Sequence, residues 1–119
     1  MKRLLKIVLV SSLSLLCFSC YYDELIERPV DQIDPNVDVF FTDIQDIFVT
    51  YDCTQCHDGS RAPDLRPANA FNALVPDFAI PGDPDASELY IILAQGHRNV
   101  SADDLALIYA WIDRGALNN

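Results

Sequence analysis

The chain has 119 residues, with 18 acidic against 8 basic side chains and a formal net charge of -10 at pH 7. This length allows one small domain, and the acidic excess excludes a nucleic-acid-binding protein, which needs a basic surface to displace phosphate counterions. Hydrophobic residues make up 50% of the chain, which is too many for a disordered protein.

The N-terminal segment predicts an export signal followed by a tether. Lys2, Arg3 and Lys6 precede an apolar stretch that is too short and too rich in serine for a comfortable bilayer span, as in a secretory signal peptide. The same short stretch disfavours the alternative, an uncleaved membrane anchor. Residues 21–38 are acidic, contain two prolines and show no sustained period, so they predict a tether. An ordered strand packed on the domain is the alternative.

The end of the signal segment resembles the lipobox of bacterial lipoproteins, with the sequence Leu16-Cys17-Phe18-Ser19-Cys20. The resemblance implies that residues 1–19 are a lipoprotein signal peptide and that Cys20 becomes the lipidated N-terminal residue. The acyl chains on Cys20 would anchor the exported protein to a membrane of the cell envelope, on the periplasmic side or at the cell surface. Residues 20–38 would then connect this anchor to the domain.

Residues 39–119 predict an all-α domain of four helices joined by loops, without an alternating strand or an internal repeat. Thr42 and Gln45 have the spacing of a capping box at the start of a helix over 42–52. Apolar residues at i, i+3, i+4 and i+7 mark one face of this helix: Ile44, Ile47, Phe48 and Tyr51.

Three further helices are predicted downstream, over residues 68–75, 88–95 and 102–114. Ser87 and Ser101 are the predicted N-caps of the last two helices, and Gly96 and Gly115 are their predicted C-terminal stops. Helices this short can form only a small hydrophobic core. The domain is therefore predicted to need disulfides, a metal or a cofactor.

The segment Cys53-Thr54-Gln55-Cys56-His57 follows the first predicted helix. C-x-x-C-H is the attachment signature of c-type haem. Two thiols at i and i+3 lie on one side of a helical turn and can form thioethers with the two vinyl groups on one porphyrin edge. The motif thus predicts that Cys53 and Cys56 hold one haem covalently, and that His57 is the proximal iron ligand. Such attachment takes place outside the cytoplasm, in agreement with the predicted signal.

Three other interpretations of the motif are open. A redox-active Cys53–Cys56 disulfide is expected in a βαβ context, and the chain has no predicted strand. A structural zinc site needs four ligands, and Cys53, Cys56, His57 and His97 match that number, although the adjacent residues 56 and 57 suit one tetrahedral ion poorly. The third interpretation is that the C-x-x-C-H pattern occurs by chance. The export signal and the helical context favour haem.

Residues 42–116 resemble the small monohaem cytochrome c domains, of class I fold, of exported bacterial proteins. The resemblance rests on the residues from Thr42 to Gly59 and on three later segments: Ile80 to Pro84, Ser87 to Tyr90, and Ser101 to Ala116. It implies a small cytochrome c-like fold with about four helices around one covalent haem, its first and last helices packing beside the haem edge. It also implies one-electron transfer and no enzymatic activity, and no acid–base or nucleophile cluster is found outside the motif.

The resemblance further implies that Phe48, Tyr109 and Trp111 lie beside the haem or between helices, with ordinary core packing as the alternative. It also implies a backbone carbonyl that accepts a hydrogen bond from Nδ1 of His57. Pro63 and Pro67 are equal candidates for this carbonyl.

The methionine that is the sixth iron ligand in the resembled family is absent, and Gly96-His97-Arg98-Asn99 stands in its place. The only methionine and both lysines lie in the signal segment, and His57 is already used. His97 is therefore the candidate distal ligand. The alternative is an open sixth site, filled by water or by Tyr90.

These residues predict a lipid-anchored monohaem cytochrome that transfers electrons, with iron and haem c as cofactors. A haem-based module that senses or binds a small ligand is the alternative function, followed by a structural zinc module. The acidic surface predicts a redox partner with a basic docking face, while solubility is the simpler explanation of the same charge.

Overall fold

The computed structural model describes residue 1 and residues 33–119. In this part the chain contains four α-helices and no strand, so the all-α prediction is confirmed for it. The helices are α1 (Phe41–Thr50), α2 (Ala70–Leu74), α3 (Glu88–Ala94) and α4 (Ala102–Asp113), each within two residues of its predicted bounds. Three 3₁₀ helices span Cys53–Gln55, Pro84–Ala86 and His97–Asn99. The predicted signal peptide beyond Met1, the lipidated Cys20 and most of the tether lie outside the described residues.

Helix α1 begins at Phe41, with Phe40 at the N-cap position, so the predicted capping box of Thr42 and Gln45 is wrong. The carboxylate of Asp43 instead accepts a hydrogen bond from the N–H of Phe40 at 2.8 Å, and its negative charge suits the N-terminal end of the helix. The Gln45 side chain donates to a backbone carbonyl 22 residues away. The predicted apolar face is buried through Ile44, Ile47 and Phe48.

The two serines predicted as N-caps behave differently. Ser101 Oγ accepts a hydrogen bond from the N–H of Asp104 at 3.2 Å, as predicted for the cap of α4. Ser87 occupies the N-cap position of α3, but its buried hydroxyl donates to Asp83 O at 2.7 Å and accepts from the N–H of Ile80 at 2.8 Å. Ser87 therefore closes the turn before α3, and the prediction that its side chain caps the helix is wrong.

Helix α4 ends in a Schellman motif at the predicted glycine. Gly115 has φ of 105°, and its N–H donates to Ile112 O at 3.0 Å. The N–H of Ala116 donates to Trp111 O at 2.9 Å, which completes the motif. The chain then folds back on the helix, where Trp111 Nε1 donates to Leu117 O at 2.9 Å.

The core lies where α4 packs against α1 and against α3. Trp111 is 1% exposed, and its ring centroid lies 5.4 Å from that of Phe41, which meets Phe71 edge to face at 5.3 Å. The other large buried apolar side chains are Phe48, Ile44, Leu74, Ile108 and Ile112. Because α1 is fixed by this core, the turn that follows it is held in place as well.

The last residues of the predicted tether contact the domain. The guanidinium of Arg114 donates to Val37 O and, at 3.3 Å, to Asp34 O. Ile33 packs against the hydrophobic core. The described end of the tether is therefore attached near the C-terminal end of α4.

Candidate functional site

The motif from Cys53 to His57 forms a tight turn directly after α1. Asp52, with φ of 52°, leads from α1 into the 3₁₀ helix Cys53–Gln55. The N–H groups of Cys56 and His57 both donate to Cys53 O, at 3.3 and 3.0 Å. The motif is therefore one helical turn, as the spacing of its cysteines predicts.

The two cysteines of the motif are free thiols that differ in exposure: Cys53 is 5% exposed, whereas Cys56 is on the surface. Burial raises the pKa of the Cys53 thiol above its ordinary value, and the nearby positive charge of Arg98 opposes part of this rise. The Cys53 thiol is therefore protonated at neutral pH. The exposed Cys56 thiol is accessible from solvent, with Nη2 of Arg98 at 3.7 Å from its sulfur.

The imidazole of His57 is oriented by a backbone carbonyl. Nδ1 of this half-buried ring lies 3.0 Å from Pro63 O, and because a carbonyl only accepts, Nδ1 carries the proton. The lone pair is then on Nε2, which is the nitrogen available to a metal. Of the two carbonyls that the sequence left open, the structure selects Pro63, since Pro67 O accepts from Gln45 Nε2 at 2.9 Å.

The loop that presents this carbonyl is held by its own polar contacts. The N–H of Leu65 donates to His57 O at 2.9 Å, which returns the loop to the motif turn. Arg66 Nη2 lies 2.6 Å from Asp64 Oδ2, and Asn69 Nδ2 donates to the same oxygen at 2.7 Å. The hydrogen bonds from Arg66 hold the pKa of the Asp64 carboxyl well below its usual range, so this ion pair persists at neutral pH.

A cavity of about 330 Å³ lies beside the motif turn. Cys53, His57 and His97 all line it, whereas Cys56 is not among the lining residues. Its volume is within the range of ligand and cofactor sites, roughly 300–1,000 Å³. Arg61 and Glu88 also line it, and most of the remaining lining is apolar: Phe48, Leu65, Leu74, Phe78, Leu89 and Leu93. The structure thus brings three of the four residues that the sequence assigned to the haem and its iron to one apolar cavity.

His97 reaches the cavity from the turn that follows α3. Gly96 has φ of 97° and precedes the 3₁₀ helix His97–Asn99, in which Arg98 and Asn99 also have positive φ, 61° and 51°. His97 is exposed to solvent and also lines the cavity. This placement agrees with the expectation that Gly96 turns the chain toward the site, and iron ligation by His97 stays a prediction.

The aromatic side chains singled out in the sequence occupy different places. Phe48, 2% exposed, lines the cavity. Trp111 packs against Phe41 between α1 and α4, and Tyr109 meets Tyr90 edge to face with ring centroids 5.0 Å apart. Tyr90, the other candidate for the sixth position, is not among the residues that line the cavity.

Two contacts between residues 96–101 and the residues that join α1 to the motif turn could not be predicted from the sequence. Arg98 Nη2 donates to Asp52 O, 46 residues earlier, at 3.2 Å. The hydroxyl of Tyr51 accepts from the N–H of Ser101 at 2.9 Å and donates to Asp104 Oδ2 at 2.7 Å. Contacts between residues so far apart leave no periodicity or spacing that a single sequence could show.

Within residues 33–119, no three His, Cys, Asp or Glu side chains are grouped so that they could hold a metal ion. The four residues considered as zinc ligands therefore do not converge as a zinc site needs. An iron that a porphyrin already holds needs only one or two axial ligands from the protein. Two thiols on one turn, an oriented imidazole and an apolar cavity fit haem c better than a bare ion.

No helix in the described part of the chain is both long and apolar enough to cross a membrane. The chain matches no protein-family model, no curated protein and no solved structure.

Proposed function

We propose that this protein is a lipid-anchored monohaem c-type cytochrome that transfers single electrons at a bacterial membrane. One observation carries the proposal: a C-x-x-C-H turn borders an apolar cavity, and its histidine is already oriented by Pro63 O at 3.0 Å. When bound, haem c would supply an iron that alternates between Fe(III) and Fe(II). The four described helices and this cavity are compatible with a small cytochrome c-like fold.

The residues at the cavity have separable roles in this proposal. Cys53 and Cys56 would hold the group through thioethers, and His57 would bind its iron through Nε2. By accepting a hydrogen bond from Nδ1–H, Pro63 O keeps the His57 ring in one tautomer and increases its basicity as a ligand. His97 would be the second protein ligand of the iron. The mostly apolar lining would surround the group with hydrocarbon, and such an environment is one of the protein's means of tuning a reduction potential.

The cellular setting is proposed from the sequence. Cys20 would carry the lipid, and residues 20–38 would place the exported domain near the membrane surface. The formal charge of -10 makes the protein acidic even before the carboxylates of haem are counted. A redox partner would therefore present Lys or Arg at its docking face, because complementary fields speed association.

Haem should stay attached to the polypeptide after denaturation. The full-length protein, produced with a cytochrome c maturation system, should show haem staining at its own mass on an SDS gel, because thioether bonds survive detergent. Replacing Cys53 and Cys56 together with serine should abolish this staining. Replacing Thr54 and Gln55 together with alanine is the matched control and should preserve it. A preparation with no gel-bound haem and one bound zinc ion would contradict the proposal.

Cys20→Ala should move the haem domain from the membrane fraction to the soluble periplasmic or extracellular fraction, because lipidation requires the thiol. Cys17→Ala changes a neighbouring cysteine and should leave the protein in the membrane fraction. Fractionation followed by haem staining measures both variants. If Cys20→Ala remains in the membrane fraction after a high-salt wash without detergent, the lipid anchor is not at Cys20.

A haem-based module that binds a small ligand is the second candidate function, and the exposure of His97 favours it. A solvent-exposed distal ligand is more easily displaced than a buried one. The absorption spectrum separates the candidates: a six-coordinate low-spin haem supports electron transfer, and an open high-spin haem supports ligand binding. A structural zinc module would be colourless.

A further inference from the structure

The loop that carries His97, residues 96–101, is joined to the motif turn by Arg98. Nη2 of Arg98 donates to Asp52 O at 3.2 Å and lies 3.7 Å from Cys56 Sγ. Asp52 immediately precedes the first motif cysteine, and Arg98 immediately follows His97. The Arg98 guanidinium therefore links the residue that follows His97 to Cys56, the residue that precedes His57, and to Asp52, just before the motif.

The backbone of this loop needs such support. Arg98 and Asn99 have φ of 61° and 51°, in the left-handed region, which asparagine enters fairly readily and arginine rarely does. Strained conformations of this kind persist only where surrounding contacts hold them, and they concentrate at functional sites. The Arg98 side chain is half-buried against the motif turn, so it supplies a contact of this kind.

The far end of the loop is held separately. The hydroxyl of Tyr51 accepts from the N–H of Ser101 at 2.9 Å and donates to Asp104 Oδ2 at 2.7 Å, and the buried Val100 packs in the core. Because the loop end is fixed without Arg98, loss of the Arg98 contact should release the His97 end of the loop and leave the fold intact.

We propose that Arg98 is a positioning residue for His97: it ties the loop to the motif turn and so keeps the His97 imidazole at the cavity. The inference rests on the proposed function and names how the distal side of that site is controlled. Arg98 sets the fraction of molecules in which His97 occupies the sixth position, and thus whether an external ligand can enter.

Arg98→Met keeps most of the side-chain length and removes the hydrogen bonds. In the ferrous, haem-loaded, full-length protein, this variant should bind carbon monoxide about tenfold faster than wild type, the effect expected for loss of one charge-assisted hydrogen bond. Stopped-flow absorbance measures the rate. Arg98→Lys restores a cationic donor and should give an intermediate rate.

Arg114→Met is the matched control, since Arg114 also donates to backbone carbonyls, those of Val37 and Asp34. It removes the same charge and should leave the rate unchanged. In a His97→Ala background, Arg98→Met should have no further effect, because the residue acts through His97. A rate in Arg98→Met equal to that of wild type, or an undiminished effect in the His97→Ala background, overturns the inference.

Amide hydrogen exchange of residues 97–101 gives a second readout that does not depend on haem. Exchange should be faster in Arg98→Met than in wild type or Arg114→Met. If the wild-type protein fails to take up haem, the proposed function fails, and exchange in the haem-free protein then tests the Arg98 contact alone. Equal exchange in all three proteins overturns the role of Arg98.

Discussion

His97→Ala should convert the haem-loaded protein from a low-spin to a high-spin visible spectrum. The strong-field ligands of proteins are Met, His and Lys, and outside the signal segment only His57 and His97 remain. His57 belongs to the motif, and His97 lines the same cavity. Removal of the His97 imidazole leaves the sixth position without a protein nitrogen. Added imidazole or carbon monoxide should then bind about tenfold faster or more, because no fraction of the molecules is blocked by His97.

Gln95→Ala is the control for this variant. Gln95 is exposed at the C-terminal end of α3, close to His97 in sequence, and it is not among the residues that line the cavity. The spectrum of Gln95→Ala should match that of wild type. An unchanged spectrum in His97→Ala would show that another group occupies the sixth position. A wild-type protein that is already high-spin would favour the ligand-binding function.

Trp111→Ala should lower the free energy of unfolding by about 3–5 kcal/mol, the usual cost of removing a large buried aromatic side chain. Trp111 is 1% exposed, contacts Phe41 across the interface of α1 and α4, and donates through Nε1 to Leu117 O. A small domain has about 5–15 kcal/mol in total, so this loss is a large fraction of its stability. Urea unfolding of haem-loaded protein, followed by circular dichroism, measures the change.

Two further variants show whether packing is the cause. Trp111→Phe retains an aromatic ring and loses the Nε1 hydrogen bond, so it should cost only about 1–2 kcal/mol. Val49→Ala removes an apolar side chain that is 63% exposed on α1, and it should change stability by less than about 0.5 kcal/mol. Equal losses in Trp111→Ala and Val49→Ala would contradict the placement of Trp111 between the helices.

Helix positions were predictable because they depend on near neighbours in the chain. The apolar spacing of Ile44, Ile47 and Phe48 located α1, and Ser101 with Gly115 located both ends of α4. Each of these signals acts within a few residues, over which backbone geometry is regular.

Two capping predictions failed because the side chains involved bond to other groups, and because α1 begins before Thr42. Gln45 was expected to serve the N-terminus of α1, but its side chain reaches Pro67 O, 22 residues away. Ser87 was expected to cap α3, but its hydroxyl bonds to Asp83 O and to the N–H of Ile80 in the preceding turn. The partners of both side chains are supplied by the folded structure, and in the case of Ser87 burial requires that the hydroxyl be hydrogen-bonded.

By itself the sequence determined the motif, and with it the identity of the residues that we propose bind haem. Five consecutive residues are enough for this because the cysteine spacing and the adjacent histidine belong to one helical turn. Only the tertiary structure decided that Pro63 orients His57, that His97 meets the same cavity, and that Arg98 ties the two turns together. These contacts join segments up to 46 residues apart. Packing of the core brings such segments together, and the spacing of neighbouring residues does not show which segments will meet.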